Sequence, residues 1–181
     1  MTETIETLNF VLALGGIATF FAGAVLLFDY FSQQSLRVLV TRYTALIATI
    51  VTGAAVALTL VYSEVFGFVP CGLCWFGRIF MYPQFLIAGT ALIAKKTGFA
   101  LYGLVLAVPG LLISLYHHYI QMGGSEVVGC PASGGDCAKR ILFEFDFITF
   151  PLIGASLFFF LTVLYFYNLK VAGIPFFKHK E

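Results

Sequence analysis

Hydrophobic positions in this chain fall in long blocks that polar connectors separate, with no residue-by-residue alternation inside the blocks. Five blocks are almost wholly apolar and 18 to 21 residues long: Leu8–Phe28, Tyr43–Tyr62, Trp75–Ala94, Phe99–Tyr119 and Phe150–Tyr167. About 20 helical residues cross a hydrocarbon core of roughly 30 Å. Because lipid offers the backbone no hydrogen-bond partners, each block is predicted to be a transmembrane helix.

The connectors differ in length and polarity. The segment 29–42 is polar and basic, residues 63–70 form a short turn, and residues 95–98 are expected to join the third and fourth helices into an antiparallel hairpin. The segment 121–149 is the one sizeable polar element, and its glycines predict an irregular, mobile loop. Its end, 141–148, alternates apolar with acidic residues, so it either lies along the membrane surface with its aromatic side inward or presses against the helices.

Composition supports the membrane assignment. The chain has 181 residues, of which 60% are hydrophobic and only 10% charged. Soluble domains carry about 25% charged residues. We therefore predict an all-α integral membrane protein, and the net charge of +1 gives no reason to expect a nucleic-acid partner.

Charge also predicts the orientation. Five spans place the termini on opposite sides, and seven of the ten basic residues then share one side: Arg37, Arg42, Lys95, Lys96, Lys170, Lys178 and Lys180. Seven of the nine acids share the other: Glu3, Glu6, Glu64, Glu126, Asp136, Glu144 and Asp146. The positive-inside rule places the C-terminus in the cytoplasm. The residues before the first span are acidic, so this span is expected to be a retained helix and not a signal peptide.

The four cysteines form two pairs on the predicted outer side. Cys71 and Cys74 precede the third span, and Cys130 and Cys137 lie in the long loop. Disulfides persist outside the bacterial cytoplasm. Pro70 cannot continue a preceding helix, so a new helix is predicted to begin near Cys71, where amide groups and the helix dipole favour a thiolate.

Arg78 is the only formally charged residue inside the five blocks. It follows Cys74 by four residues and is predicted to share its helix face. There it could stabilise a thiolate or an anionic ligand oxygen, since intramembrane charge is usually functional. The alternative is an arginine that extends to the membrane interface. Trp75 is interpreted as an interfacial anchor.

Cysteine spacing alone leaves other interpretations open. Four cysteines could bind zinc, but six residues separate Cys130 from Cys137, where a zinc knuckle has a tight spacing, and no histidine is expected near either pair. Metal binding is therefore not predicted. The loop pair could also be only a structural disulfide.

Three motifs resemble the DsbB family of membrane disulfide oxidoreductases, in particular its shorter BdbC-type members. They are PCGLCWFGR followed by IFMYP at 70–83, YHHYIQ at 116–121, and GDCAKR at 135–140 leading to Phe150 and Pro151. Together they cover roughly residues 43–167. The resemblance implies a DsbB-type antiparallel four-helix transmembrane bundle, to which Leu8–Phe28 adds one extra N-terminal helix. The expected division is 1–42 for that helix and its connector, 43–169 for the bundle and 170–181 for a cytoplasmic tail.

The resemblance also implies a mechanism. A DsbA-like thioredoxin-fold thiol oxidase outside the cytoplasm would deliver electrons to Cys130 and Cys137, with Cys130 forming the mixed disulfide. Exchange with Cys71–Cys74 would pass them to a membrane quinone, either ubiquinone or menaquinone. Cys74 would be the thiolate beside the quinone, and Arg78 and His117 would bind it.

The fourth span carries two adjacent histidines at its outer end. His117 and His118 point about 100° apart on a helix, so only one of them can face a given ligand, and the motif spacing favours His117.

An alternative function is that of a quinone-linked enzyme resembling vitamin K epoxide reductase, but there the loop cysteines precede the CxxC motif. Outward electron transfer would need cysteines on the cytoplasmic side, and none is predicted. A metal-binding structural membrane protein is the remaining alternative.

Overall fold

The structure is a computed structural model that describes residues 2–32, 35–96, 98–125, 129–130 and 135–172. Within these ranges, five helices are long and apolar enough to cross a membrane. In chain order they are α1 (Thr2–Phe31), α2 (Arg37–Leu60), α3 (Gly72–Ala94), α4 (Phe99–Gln121) and α5 (Phe150–Val171). Two short strands, β1 (Phe143–Glu144) and β2 (Ile148–Thr149), pair as an antiparallel hairpin. The prediction of an all-α membrane protein is confirmed.

Each helix extends a few residues beyond the apolar block that predicted it. The blocks mark the part of a helix that lipid requires to be apolar, whereas a helix can continue into the polar interface. α2 runs on into a π-helical turn, Val61–Val65. Such wider turns are frequent at functional sites.

α5 lies at the centre of the bundle and packs against α1, α2 and α4. Its most buried side chains include Phe158 and Tyr165. Small residues let α4 approach them closely, because a Cβ atom on Gly103 would lie 2.6 Å from the Tyr165 ring and one on Gly110 would lie 2.5 Å from the Phe158 ring. Small residues have this role at many transmembrane helix contacts.

The predicted extra helix, α1, is a full part of the bundle. At one end, the Asp29 carboxylate accepts hydrogen bonds from the Tyr167 hydroxyl at 2.6 Å, the Ser35 hydroxyl at 2.6 Å and the Leu36 amide at 3.1 Å. These contacts connect α1 to α5 and to the start of α2.

Four basic residues lie at the start of α2 and at the ends of α3 and α5: Arg37, Lys95, Lys96 and Lys170. The cysteines lie at the opposite end of the bundle. This segregation agrees with the charge pattern in the sequence. Some positions used in the sequence analysis lie outside the described residues. They are Thr97 in the predicted tight turn, Glu126 in the long loop, and residues 173–181 of the predicted tail, which include Lys178 and Lys180.

The loop end 141–148 includes most of the β-hairpin, whose strands and turn cover residues 143–149. Leu142 and Ile148 are buried in a cluster with Ala13 of α1, which supports the interpretation that this segment presses against the bundle. Phe143, Phe145 and Phe147 are 38 to 51% exposed, and their contact with lipid remains a prediction. The expectation of an irregular loop is therefore wrong for this segment.

Candidate active site

Cys71 is the N-cap of α3. Its backbone is extended, with φ −73° and ψ 170°, and its Sγ accepts a hydrogen bond from the Cys74 amide at 3.3 Å. The predicted helix start at Cys71 is confirmed. A thiolate in this position meets the free amide groups and the positive end of the helix dipole.

The two cysteine pairs lie side by side. Cys130 and Cys137 form a disulfide with a Cα–Cα distance of 6.2 Å, while Cys71 and Cys74 are free with their Sγ atoms 2.7 Å apart. The backbone of Cys71 pairs with that of Gly135 in a parallel bridge, two residues before Cys137. Cys71 and Cys137 belong to one buried cluster, against which Cys74 and Cys130 pack. The long loop thus folds back onto the CxxC motif.

His117 lies between the two pairs. Its Nε2 is 3.6 Å from Cys71 Sγ and 3.1 Å from the Cys137 carbonyl oxygen, and its side chain is only 4% exposed. The expectation that no histidine would lie near either pair is therefore wrong. It was based on distance along the chain, whereas the antiparallel packing of α3 and α4 brings residue 117 to residue 71.

His118 points elsewhere. Its Nδ1 lies 2.9 Å from the Thr149 hydroxyl at the start of α5. Adjacent helical residues diverge in direction, as expected. Of the two histidines, His117 is the one that lines the cavity beside the cysteines.

Gln121 was not identified as a site residue from the sequence. Its side-chain Nε2 donates a hydrogen bond to the Lys139 carbonyl oxygen at 3.0 Å, and its backbone carbonyl oxygen accepts one from Arg140 Nε. These bonds hold the segment after Cys137 against the end of α4. A signal was available, because Gln121 is four residues after His117 and therefore shares its helix face.

The pKa of the Cys71 thiol is lowered to about 4. The largest cause is the hydrogen bond from Cys74, and the contact with His117 lowers it further, while burial acts in the opposite direction. In this dithiol state the thiolate therefore belongs to Cys71 and Cys74 is its donor. The resemblance implies a Cys74 thiolate beside a quinone, and that role of Cys74 stays a prediction.

This pKa predicts how Cys71 reacts with iodoacetamide in the reduced protein. A thiol must be deprotonated to react, so the rate at Cys71 should stay high down to about pH 5 and fall to half near pH 4, whereas an ordinary thiol has its midpoint near pH 8.5. Peptide mass spectrometry would isolate Cys71 from the other cysteines. His117→Ala should raise the midpoint, since a stabilising contact is lost. A wild-type midpoint near 8.5 would contradict the assignment.

Arg78 is buried, at 9% exposure, so its side chain is enclosed by the protein. Its Nη2 donates a hydrogen bond to the Thr59 carbonyl oxygen at 3.0 Å, just before the π-helical turn. Its guanidinium lies 5.3 Å from the centre of the Trp75 ring, which is half exposed. The cation is thus held from two sides at a fixed position on α3.

A cavity of about 540 Å³ opens beside these residues. Its walls come from the ends of α2 and α4, the starts of α3 and α5, and the loop. Cys71, Cys74, Arg78, His117 and Gln121 supply part of a lining that is otherwise largely apolar. A mostly apolar cavity with a few convergent polar groups is typical of a small-molecule site.

Residues 41–169 match the family model for disulfide bond formation protein DsbB. The chain belongs to the DsbB family. The match contains all six predicted site residues, all of α3 and α4 and most of α5, but it leaves out α1. Membership makes the protein a multi-pass membrane disulfide oxidoreductase.

Individual relatives agree with this membership. The chain is 40% identical over 121 residues to a probable disulfide formation protein of Oceanobacillus iheyensis, covering 66% of this chain and 83% of the relative. It is 38% identical over 114 residues to disulfide bond formation protein C of Bacillus subtilis strain 168, covering 62% and 81%. An SPbeta prophage-derived disulfide bond formation protein B from the same strain is 39% identical over 100 residues, covering 55% and 68%. No solved structure matches the chain.

The site of this DsbB-family protein could also hold a metal ion. The ligand atoms of Cys71, Cys74 and His117 all lie within 4.8 Å of one another. Two thiolates and an imidazole are a common zinc set, with a fourth position left open. The same three atoms are those on which disulfide exchange would depend, so metal binding and redox activity would compete.

Proposed function

We propose that this protein oxidises the dithiol of an extracytoplasmic, DsbA-like thioredoxin-fold partner and passes the electrons to a membrane quinone, ubiquinone or menaquinone. The observation that carries the proposal is the adjacency of the two cysteine pairs to each other and of Cys74 to an apolar cavity. The segregation of basic residues supports an orientation with both pairs outside and the C-terminus in the cytoplasm.

The burial of the cysteines supports an order of exchange. Cys130 is only partly buried, whereas Cys137 is fully buried beside Cys71. A partner thiolate would attack Cys130, forming a mixed disulfide and releasing the Cys137 thiolate. A second partner thiol would resolve that disulfide, so the partner leaves oxidised and the loop pair is left reduced.

The inner exchange follows from the same geometry. The Cys137 thiolate would attack the Cys71 sulfur of a Cys71–Cys74 disulfide, which forms a Cys71–Cys137 bond and releases Cys74 as the thiolate. Cys130 would then displace Cys71, so the loop disulfide is restored and the CxxC pair holds both electrons. Thiol–disulfide exchange requires an accessible sulfur and a thiolate, and the bridge at Gly135 brings the two pairs together.

The cavity suits a quinone ring. Its lining is largely apolar, and Arg78 supplies a fixed cation at the side where Cys74 lies. Gln121 Oε1 is buried without a partner among the described residues, and it could accept a hydrogen bond from the hydroxyl of a reduced quinone. A quinone supplies the acceptor for two electrons and two protons. His117 would hold or release a proton at Nε2, and Arg78 would stabilise negative charge on a ligand oxygen.

Reconstitution tests this function. Purified protein in lipid, given a reduced thioredoxin-like dithiol partner, should oxidise it only when ubiquinone or menaquinone is supplied. Without quinone, at most one or two disulfide equivalents should form per protein. Sustained equal turnover without quinone would overturn the proposal.

A second candidate is a metal-binding membrane protein, which the Cys71, Cys74 and His117 cluster favours. Elemental analysis of the same preparation separates the two. One zinc per chain together with no quinone-dependent turnover would favour the metal protein.

Arg78→Lys should raise the apparent KM for quinone about tenfold, which corresponds to about 1.4 kcal/mol. Lysine keeps the charge but cannot reproduce the planar guanidinium that spans the Thr59 carbonyl and the Trp75 ring. The rate of exchange between the partner and Cys130–Cys137, measured in a single turnover without quinone, should stay unchanged. An unchanged quinone KM would remove Arg78 from the quinone site.

A further inference from the structure

α1 lies outside the family match, and the proposed chemistry uses none of its residues. One of its side chains is nevertheless a polar group that is almost fully buried. Asn9 is 7% exposed, while its neighbour Phe10 is 46% exposed. A buried amide in an apolar helix is costly unless it is hydrogen-bonded, so its partners show what it does.

Asn9 connects two other parts of the chain. Its Oδ1 accepts a hydrogen bond from the Tyr62 hydroxyl at 2.6 Å, and its Nδ2 donates one to the Ile141 carbonyl oxygen at 3.4 Å. A backbone carbonyl can only accept, so the NH₂ group must face Ile141 and the amide oxygen must face the tyrosine. Both bonds are between residues far apart in sequence.

Both partners of Asn9 line the cavity. Tyr62 is in the π-helical turn, 5% exposed, and its ring packs edge-to-face on the ring of Phe150, which lines the cavity too, at 4.6 Å. Ile141 follows Cys137 by four residues. The Asn9 side-chain amide therefore contacts a residue of the cavity wall and also binds the loop segment that follows Cys137.

Apolar contacts of α1 extend this attachment. Ala13, one turn further along the helix from Asn9, is fully buried with Leu142 and Ile148 of the hairpin. The ring of Phe10 lies 5.8 Å from that of Phe145 at the hairpin turn. The hairpin thus rests on the outer half of α1.

We infer that Asn9 is a positioning residue, through which the extra helix α1 holds Tyr62 in the wall of the quinone cavity and fixes the end of the redox loop beside it. This inference rests on the proposed quinone function. Without the Asn9 bond, the Tyr62 hydroxyl loses its partner and the Tyr62 ring is free to shift against Phe150. The wall of the cavity is then no longer held in a single conformation. Quinone affinity should therefore depend on a residue outside the family match.

The test measures binding as well as activity. Trp75 is the only tryptophan and lies beside the Arg78 guanidinium, so quenching of its fluorescence by an added quinone reports the quinone Kd. Asn9→Leu and Tyr62→Phe should each raise Kd and the quinone KM about tenfold, or about 1.4 kcal/mol, while kcat at saturating quinone stays within about threefold. The double variant should bind quinone no more weakly than Asn9→Leu alone, because Asn9→Leu already removes the bond that Tyr62→Phe removes.

Thr7→Val is the matched control. Thr7 is exposed and lies two residues from Asn9, and its hydroxyl donates a hydrogen bond within α1 to the Glu3 carbonyl oxygen. The quinone Kd of the Thr7→Val variant should therefore equal that of the wild type. A role in folding alone would reduce the fraction of active protein and leave Kd unchanged. If Asn9→Leu does not fold, Tyr62→Phe decides the matter, since it removes a single oxygen atom.

An unchanged Kd in Tyr62→Phe, or additive effects in the double variant, would overturn the inference. Failure of the proposed function is distinguishable, because the wild type would then show neither quinone-dependent turnover nor quenching of Trp75 by quinone.

Discussion

Replacing Cys74 with serine should abolish quinone reduction, lowering quinone-dependent turnover by at least about a thousandfold, as expected when a reacting nucleophile is lost. Serine has nearly the same shape but cannot form a disulfide or carry the two electrons. The exchange between the partner and Cys130–Cys137 should survive, because that disulfide does not require Cys74. The measurement is quinone absorbance during turnover, together with a single-turnover assay of partner oxidation.

Ser114→Ala is a suitable control for that variant. Ser114 is a small, buried side chain that lines the same cavity as Cys74, but it has no thiol. Its quinone-dependent turnover should remain within a few-fold of the wild type. Retention of full turnover in Cys74→Ser would show that electrons leave the protein by another route.

The second large effect concerns the loop pair. Cys130→Ser should eliminate the covalent complex with the partner, whereas Cys137→Ser should make that complex accumulate. The reason is that Cys130 is the more exposed sulfur and Cys137 is enclosed beside Cys71. Non-reducing gel electrophoresis after mixing each variant with the partner measures the complex directly.

These two variants control for each other, since both remove the same disulfide. If Cys130–Cys137 only stabilised the loop, the two substitutions would have equal effects on the partner. Equal amounts of complex in both variants would also mean that the difference in burial does not determine which sulfur the partner attacks.

The membrane helices could be predicted because lipid imposes a local requirement. A segment that crosses hydrocarbon must be apolar and helical whatever its neighbours are, so each block in the sequence corresponds to one helix in the structure. The start of α3 was equally local, because Pro70 ends one segment and Cys71 caps the next. The helix boundaries were less accurate, since interfacial turns are not required to be apolar.

The surroundings of the cysteines could not be predicted in the same way. His117 contacts Cys71 across 46 residues. Distance along the chain does not predict that contact, and only the family resemblance placed His117 close to the CxxC pair. The β-hairpin at 143–149 was also missed, because its strands are two residues long and its turn uses Phe145 and Asp146 at positive φ values of 53° and 61°. Residues other than glycine adopt that conformation infrequently, so the residue types at these positions did not indicate a turn.

The contacts of α1 show the same division. Its apolar pattern is sufficient to predict a span but says nothing about what the span touches. Asn9 is a single polar position in that pattern, and its importance depends on Tyr62 and Ile141, which are 53 and 132 residues away.

The identity of the five spans, the pairing of the cysteines and the predicted side of the membrane follow from the order of residues, because burial in lipid and charge act on each segment separately. The arrangement of Cys71, His117 and Cys137, the fixed position of Arg78 and the attachment of the loop to α1 emerged only when the helices were packed. Each of these contacts joins segments far apart in the chain, and the energy that holds them belongs to the packed bundle and not to any one of its parts.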